Sequence, residues 1–246
     1  MLRKSRTIVI ILAILLVSSC CVALPCVHTV RDGEGWTQSA NNLRQIGLAL
    51  QSYHSKFKRL PPAVHRDKDG RPLHSWRVLL LPELDYDFIY KQIRLDEPWN
   101  SPHNAPLLAE MPRCYDDWRS DDGEKGLTHY QVLVGPRTAF ELPRLTFADF
   151  PDGLENTILV IEASEPVPWA QPLDVEYSPD QPLPGFGVGY GKAVKLWCYE
   201  ITRRPGFIAC FGDGKARFVP HSTPEPIIRG LITRNGGEPV RSSVFD

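Results

Sequence analysis

At 246 residues the chain suits one domain, or two small ones, and is long enough to bury a sizeable core. Its 28 Lys+Arg against 29 Asp+Glu give a formal net charge of -1, which excludes a global basic field for nucleic acid and an acidic excess for a polycation. Hydrophobic residues at 42% exclude wholesale disorder, and 23 prolines with 18 glycines exclude a plain helical bundle.

Arg3, Lys4 and Arg6 precede an uncharged run, Thr7 to Leu24, rich in Ile, Leu, Val and Ala. A basic flank before an apolar run is the positive-inside arrangement, which puts the rest of the chain outside the cytoplasm. As a helix the run would span about 27 Å, enough for a hydrocarbon core. Three fates fit it: a retained single-span anchor, a signal peptide cleaved near Ser18-Ser19, or a lipoprotein signal. In the third, Val17-Ser18-Ser19-Cys20 is a loose lipobox and Cys20 is the lipidated residue. The expected organisation is an anchor or signal over 1–26, a linker over 27–38 and an extracytoplasmic domain over 39–246.

Between Ser39 and Phe57 the apolar positions are Leu43, Ile46, Leu50, Tyr53 and Phe57, spaced 3, 4, 3 and 4. That is one stripe of an amphipathic helix, ended by Pro61-Pro62. Gly47 inside it costs about 1 kcal/mol relative to Ala, so a close approach is expected there. Asp67 to Gly70 reads as a turn. Trp76 to Leu81 is an apolar run, Tyr86 to Ile93 a short helix, and Ser101-Pro102 the start of another, to about Glu110. Asp116 to Glu124 reads as an acidic loop. Tyr130–Val134, Thr157–Glu162, Phe207–Phe211 and Ala216–Val219 are β-type runs. The last two flank a hairpin connection, Gly212 to Lys215. Ala163 to Gly191 reads as a long surface excursion. Thr223-Pro224 opens a last helix, closed at Asn235-Gly236-Gly237. Helices and strands segregate, which indicates an α+β fold with a mainly antiparallel sheet.

Asn41-Asn42-Leu43-Arg44-Gln45-Ile46-Gly47-Leu48-Ala49-Leu50 resembles the signature helix of a bacterial pilin-like family. That family is a domain of unknown function expanded in planctomycetes, with prepilin-type processing and an H-x9-DG C-terminal motif. Further matching stretches are His74–Pro82, Leu95–Asn104, Val134–Pro136, Asp152–Ile158, Phe211–Val219 and Leu231–Glu238. The resemblance implies a pseudopilin-like fold, and a structural role for Asn42, Gln45, Gly47, Asp213 and Gly214. The chain departs from the pattern twice. It has no Gly-Phe-Thr-Leu-Val-Glu-like run before an apolar helix, and Arg203 stands where the motif has His. Prepilin processing and packing into a pilus therefore do not follow from the resemblance.

No catalytic constellation emerges. His28, His54, His65, His74, His103, His129 and His221 never fall in H-x-x-x-H or H-E-x-x-H spacing. Asp67, Asp69 and Gly70 resemble a calcium loop only faintly, since Val78 stands at its twelfth position. Asp213-Gly214 reads as a turn in preference to a catalytic acid. Most of the six tryptophans read as buried anchors; the minority reading is an aromatic surface for glycans or peptides, with Trp99 and Trp169 in loops, where recognition residues often sit. Cys114, Cys198 and Cys210 leave room for one disulfide outside the cytoplasm, with the pair open. The expectation is a non-enzyme without metal or cofactor, acting by assembly or surface contact. Its partners are the membrane, through the N-terminus, and envelope or other proteins, with no nucleic acid. The alternative is a solute- or glycan-binding lipoprotein.

Overall fold

The computed structural model describes residues 36–116, 126–187, 194–196, 199–201 and 205–237. Cys20, Cys198, Trp118 and Trp197 lie outside them, as do most of the acidic loop and the apolar run. The first element, α1, spans 36–57. It buries Leu43, Ile46, Ala49, Leu50 and Tyr53, so the sequence stripe is the face it buries. Phe57 stays 45% exposed, because the stripe runs off the core in the last turn. Lys58 adopts a left-handed conformation (φ 57°) and its N–H bonds the His54 carbonyl, closing the helix. Residues 36–38, assigned to the linker from sequence, are helical.

A small antiparallel hairpin follows, β1 (Val64–Arg66) and β2 (Pro72–Ser75). Its turn is the expected one: the Asp67 carboxylate accepts from the Asp69 and Arg71 N–H groups, and Gly70 has φ 82°. The strands themselves escape a sequence reading, because three and four residues are too few to show a period. Two four-residue helices come next, α2 (Trp76–Leu79) and α3 (Asp87–Tyr90), around a 3₁₀ turn at Leu81–Leu84. The helix expected from Ser101 appears only as a 3₁₀ turn, Ala105–Ala109.

The central sheet has four antiparallel strands in the order β10-β9-β5-β3: β3 (Leu127–Gln131), β5 (Ile158–Pro168), β9 (Gly206–Phe211) and β10 (Ala216–Pro220). A short parallel pair joins β4 (Leu133–Val134) to β6 (Val175–Glu176), and β7 (Val194–Leu196) pairs with β8 (Tyr199–Ile201). Alternation along β9 explains its two buried faces. Ile208 and Cys210 join the core containing the buried face of α1. Phe207, Ala209 and Phe211 face a second core with Ile228, Leu231 and Ile232 of α4 (Glu225–Ile232). The result is helix, sheet and helix in layers, which makes the fold α+β.

One expectation is corrected. The surface excursion from Ala163 begins as strand, since β5 continues to Pro168. Beyond Ile161 that strand no longer pairs with β9, so Pro166 and Pro168 break no ladder on that side. Among the described residues no helix is long and apolar enough to cross a membrane.

Candidate functional site

Three of the motif residues, Gly47, Asp213 and Gly214, lie where α1 crosses the β9–β10 turn. Gly214 takes φ 79°, the left-handed position that a three-residue hairpin connection requires. Its N–H bonds the Phe211 carbonyl, and the Phe211 N–H bonds the Lys215 carbonyl. Gly47 of α1 lies against this turn. A Cβ there would stand 2.5 Å from Cys210 Sγ and 3.2 Å from Gly214 Cα. Gln51, one helical turn on, donates from Nε2 to the Gly212 carbonyl at 3.2 Å. The glycine that weakens the helix thus admits the hairpin, and Gln51 ties the two together.

Asp213 serves the turn. Its Oδ1 accepts from the Lys215 N–H (3.1 Å) and Arg217 NH1 (3.0 Å), and its Oδ2 from Arg217 NH2 (2.5 Å). Partial burial works to raise its pKa, but the Arg217 and Lys215 interactions outweigh this and hold the carboxyl below its ordinary range. An acid held ionised by an arginine has little capacity to donate a proton.

A second polar group lies under the N-terminal half of α1. Ser39 Oγ donates to Glu162 Oε1 and lies 2.9 Å from the Tyr130 hydroxyl. Asn42 Nδ2 donates to the Asp116 carbonyl (2.9 Å) and to the Tyr130 hydroxyl (3.3 Å). Glu162 Oε2 accepts the Ile208 N–H at 3.2 Å. All four side chains are buried. Asn42 therefore earns its place in the motif by holding α1 to β3 and to the segment after the Arg113–Tyr115 turn. Ser39, Tyr130 and Glu162 escape a sequence reading, because nothing in their local spacing marks an interaction across 91 and 123 residues. Gln45, by contrast, faces solvent on the exposed side of α1.

A third cluster is built on Arg77, which is fully buried. Its NH2 meets Asp174 Oδ1 at 2.7 Å, its Nε donates to the Tyr130 carbonyl, and its NH1 donates to Ser75 Oγ. Asp174 Oδ1 also accepts from Trp76 Nε1 and the Val132 N–H. Burial pushes the Asp174 pKa up despite the guanidinium beside it. His74 is buried too, with Nε2 3.2 Å from the Arg94 carbonyl. Asn104 cross-links the same loop, bonding the Arg94 N–H and the Arg94 and Pro98 carbonyls. The stretch Leu95–Asn104 is thus a self-tied loop around one buried amide.

Trp169 is a buried anchor, as the default reading of the tryptophans has it, and donates from Nε1 to the Leu108 carbonyl. Trp99 is half-buried and packs on the core. Cys114 and Cys210 are buried free thiols, and Cys198 lies outside the described residues. Burial pushes both thiols up to about 12, which suppresses the reactive thiolate. Among the described residues no group of three or more His, Cys, Asp or Glu is placed to hold a metal ion.

Residues 36–115 match the model of a family described as a protein of unknown function, DUF1559. The matched segment runs from the start of α1 through the β1–β2 hairpin to the turn at Arg113–Tyr115, so it contains Asn42, Gly47, Arg77 and Asn104. No curated protein and no solved structure matches the chain.

Proposed function

We propose that this chain is a non-catalytic, extracytoplasmic protein held at a membrane by its N-terminus, whose pseudopilin-like domain acts by surface contact or assembly with envelope partners. The observation that carries the reading is the placement of Arg3, Lys4 and Arg6 before the uncharged run Thr7–Leu24. The domain supports it in a second way. Its motif residues Asn42, Gly47, Asp213 and Gly214 are spent on joining α1 to the sheet and closing a hairpin. The match over residues 36–115 supports a family of unknown function; within this reading that family is the planctomycete-expanded, pilin-like group. In that group the H-x9-DG ending would be retained here as its Asp213-Gly214 turn alone. Val17-Ser18-Ser19-Cys20 favours a second reading, a solute- or glycan-binding lipoprotein attached through Cys20.

Fractionation tests attachment. The full chain is expected in the carbonate-washed membrane pellet, and a variant lacking residues 1–26 in the supernatant. A full chain recovered in the carbonate wash contradicts the reading. Release by Cys20→Ala alone would select lipid attachment over a spanning helix.

A further inference from the structure

The β1–β2 hairpin sets two imidazoles side by side. His65 and His74 are register partners, so their side chains share one face of the pair, and their ring centres lie 6.2 Å apart. A carbonyl only accepts, so the contact between His74 Nε2 and the Arg94 carbonyl puts the proton on Nε2. Nδ1 is then the lone-pair nitrogen. It is sealed from solvent and has no hydrogen-bond partner. Metal-ligating histidines ordinarily donate their second N–H to a carbonyl or carboxylate in this manner, which fixes ring and tautomer. His65 is half-buried, and no hydrogen bond or ion pair engages it among the described residues.

We propose that His65 and His74 form a two-imidazole site for a divalent transition-metal ion of the copper–zinc class, with water completing the shell. Two imidazoles on one ion, each bonded at about 2.0–2.1 Å, have ring centres roughly 5–6 Å apart. The rings stand near that separation, and His65, the more exposed of the two, closes the difference. Imidazole suits copper and zinc, and copper binds most tightly in the divalent series. With no third protein ligand among the described residues, water fills the remaining positions, unlike in a four-coordinate structural zinc centre.

The test is electron paramagnetic resonance of untagged full-length protein in detergent with one equivalent of Cu(II). The expected spectrum shows two coupled nitrogens. His65→Ala, at the more exposed of the two positions, is expected to lose one of them and to weaken Cu(II) affinity at least tenfold. His221→Ala, on a different part of the fold, should change neither. Equal Cu(II) binding by wild type and His65→Ala overturns the proposal, and so does a wild-type spectrum without two-nitrogen coupling.

Discussion

Gly47 sits where two effects of opposite sign compete. Gly47→Ala gains about 1 kcal/mol of helix propensity. The new Cβ, however, meets Cys210 Sγ at 2.5 Å and the Gly214 backbone at 3.2 Å. Overpacking of this kind costs about 1–3 kcal/mol, so net destabilisation is expected in urea melts. Cys210→Ala in the same chain should recover part of that loss, giving a coupling of about 0.5 kcal/mol or more; strict additivity would show that the two do not touch. His74 offers a pH test. Burial lowers its pKa from the ordinary 6.5, with the nearby His65 adding to the effect against the Arg94 carbonyl. The unfolded ring therefore takes up its proton before the folded one. Its contribution to stability is complete above pH 6.5 and declines as pH falls below that value. His54 shifts in the same direction, so the informative quantity is a difference. Melts at pH 7.5 and pH 5 should show a smaller acid loss for His74→Gln than for wild type. An equal loss would mean that His74 is not held neutral.

Among elements, the β9–β10 hairpin is the part most open to a direct test. Gly214→Val forces a β-branched residue to φ 79°, a strain of about 1–3 kcal/mol, and brings it against Gln51. Asp213→Asn keeps one acceptor, for the Lys215 N–H, and loses the charge and the second acceptor that face Arg217 and Lys215, partly exposed pairs worth about 1 kcal/mol or less each. Thermal denaturation should rank Gly214→Val well below Asp213→Asn; the reverse order would make Asp213 more than a turn residue. These elements also show what a sequence discloses. The α1 stripe, the strands around the DG turn and the closing helix are legible because each carries its own period or turn chemistry. The β1–β2 strands and the second half of β5 are not. The former are too short to show alternation, and the latter is written with Ser164, Glu165, Pro166 and Pro168, residues that ordinarily end strands. Of the site, Gly47 and Gly214 are legible through glycine's conformational meaning. Glu162 and the Arg77–Asp174 pair are not, because their partners lie far along the chain and only the fold brings them together.

For the whole molecule, the architecture and the proposed location bear on each other. The layered domain, with α1 on one face of the sheet and α4 on the other, needs nothing beyond its own residues to cover both faces of β9. A domain closed on itself in this way leaves the proposed compartment to rest on the Arg3, Lys4, Arg6 and Thr7–Leu24 segment of the sequence. Compartment is therefore the claim on which the functional account depends. The direct measurement is digestion of intact spheroplasts with added protease, followed by immunoblotting against residues 39–246. The account predicts loss of the domain from intact spheroplasts while a cytoplasmic control protein survives. Full protection of the domain until the cells are lysed would contradict it.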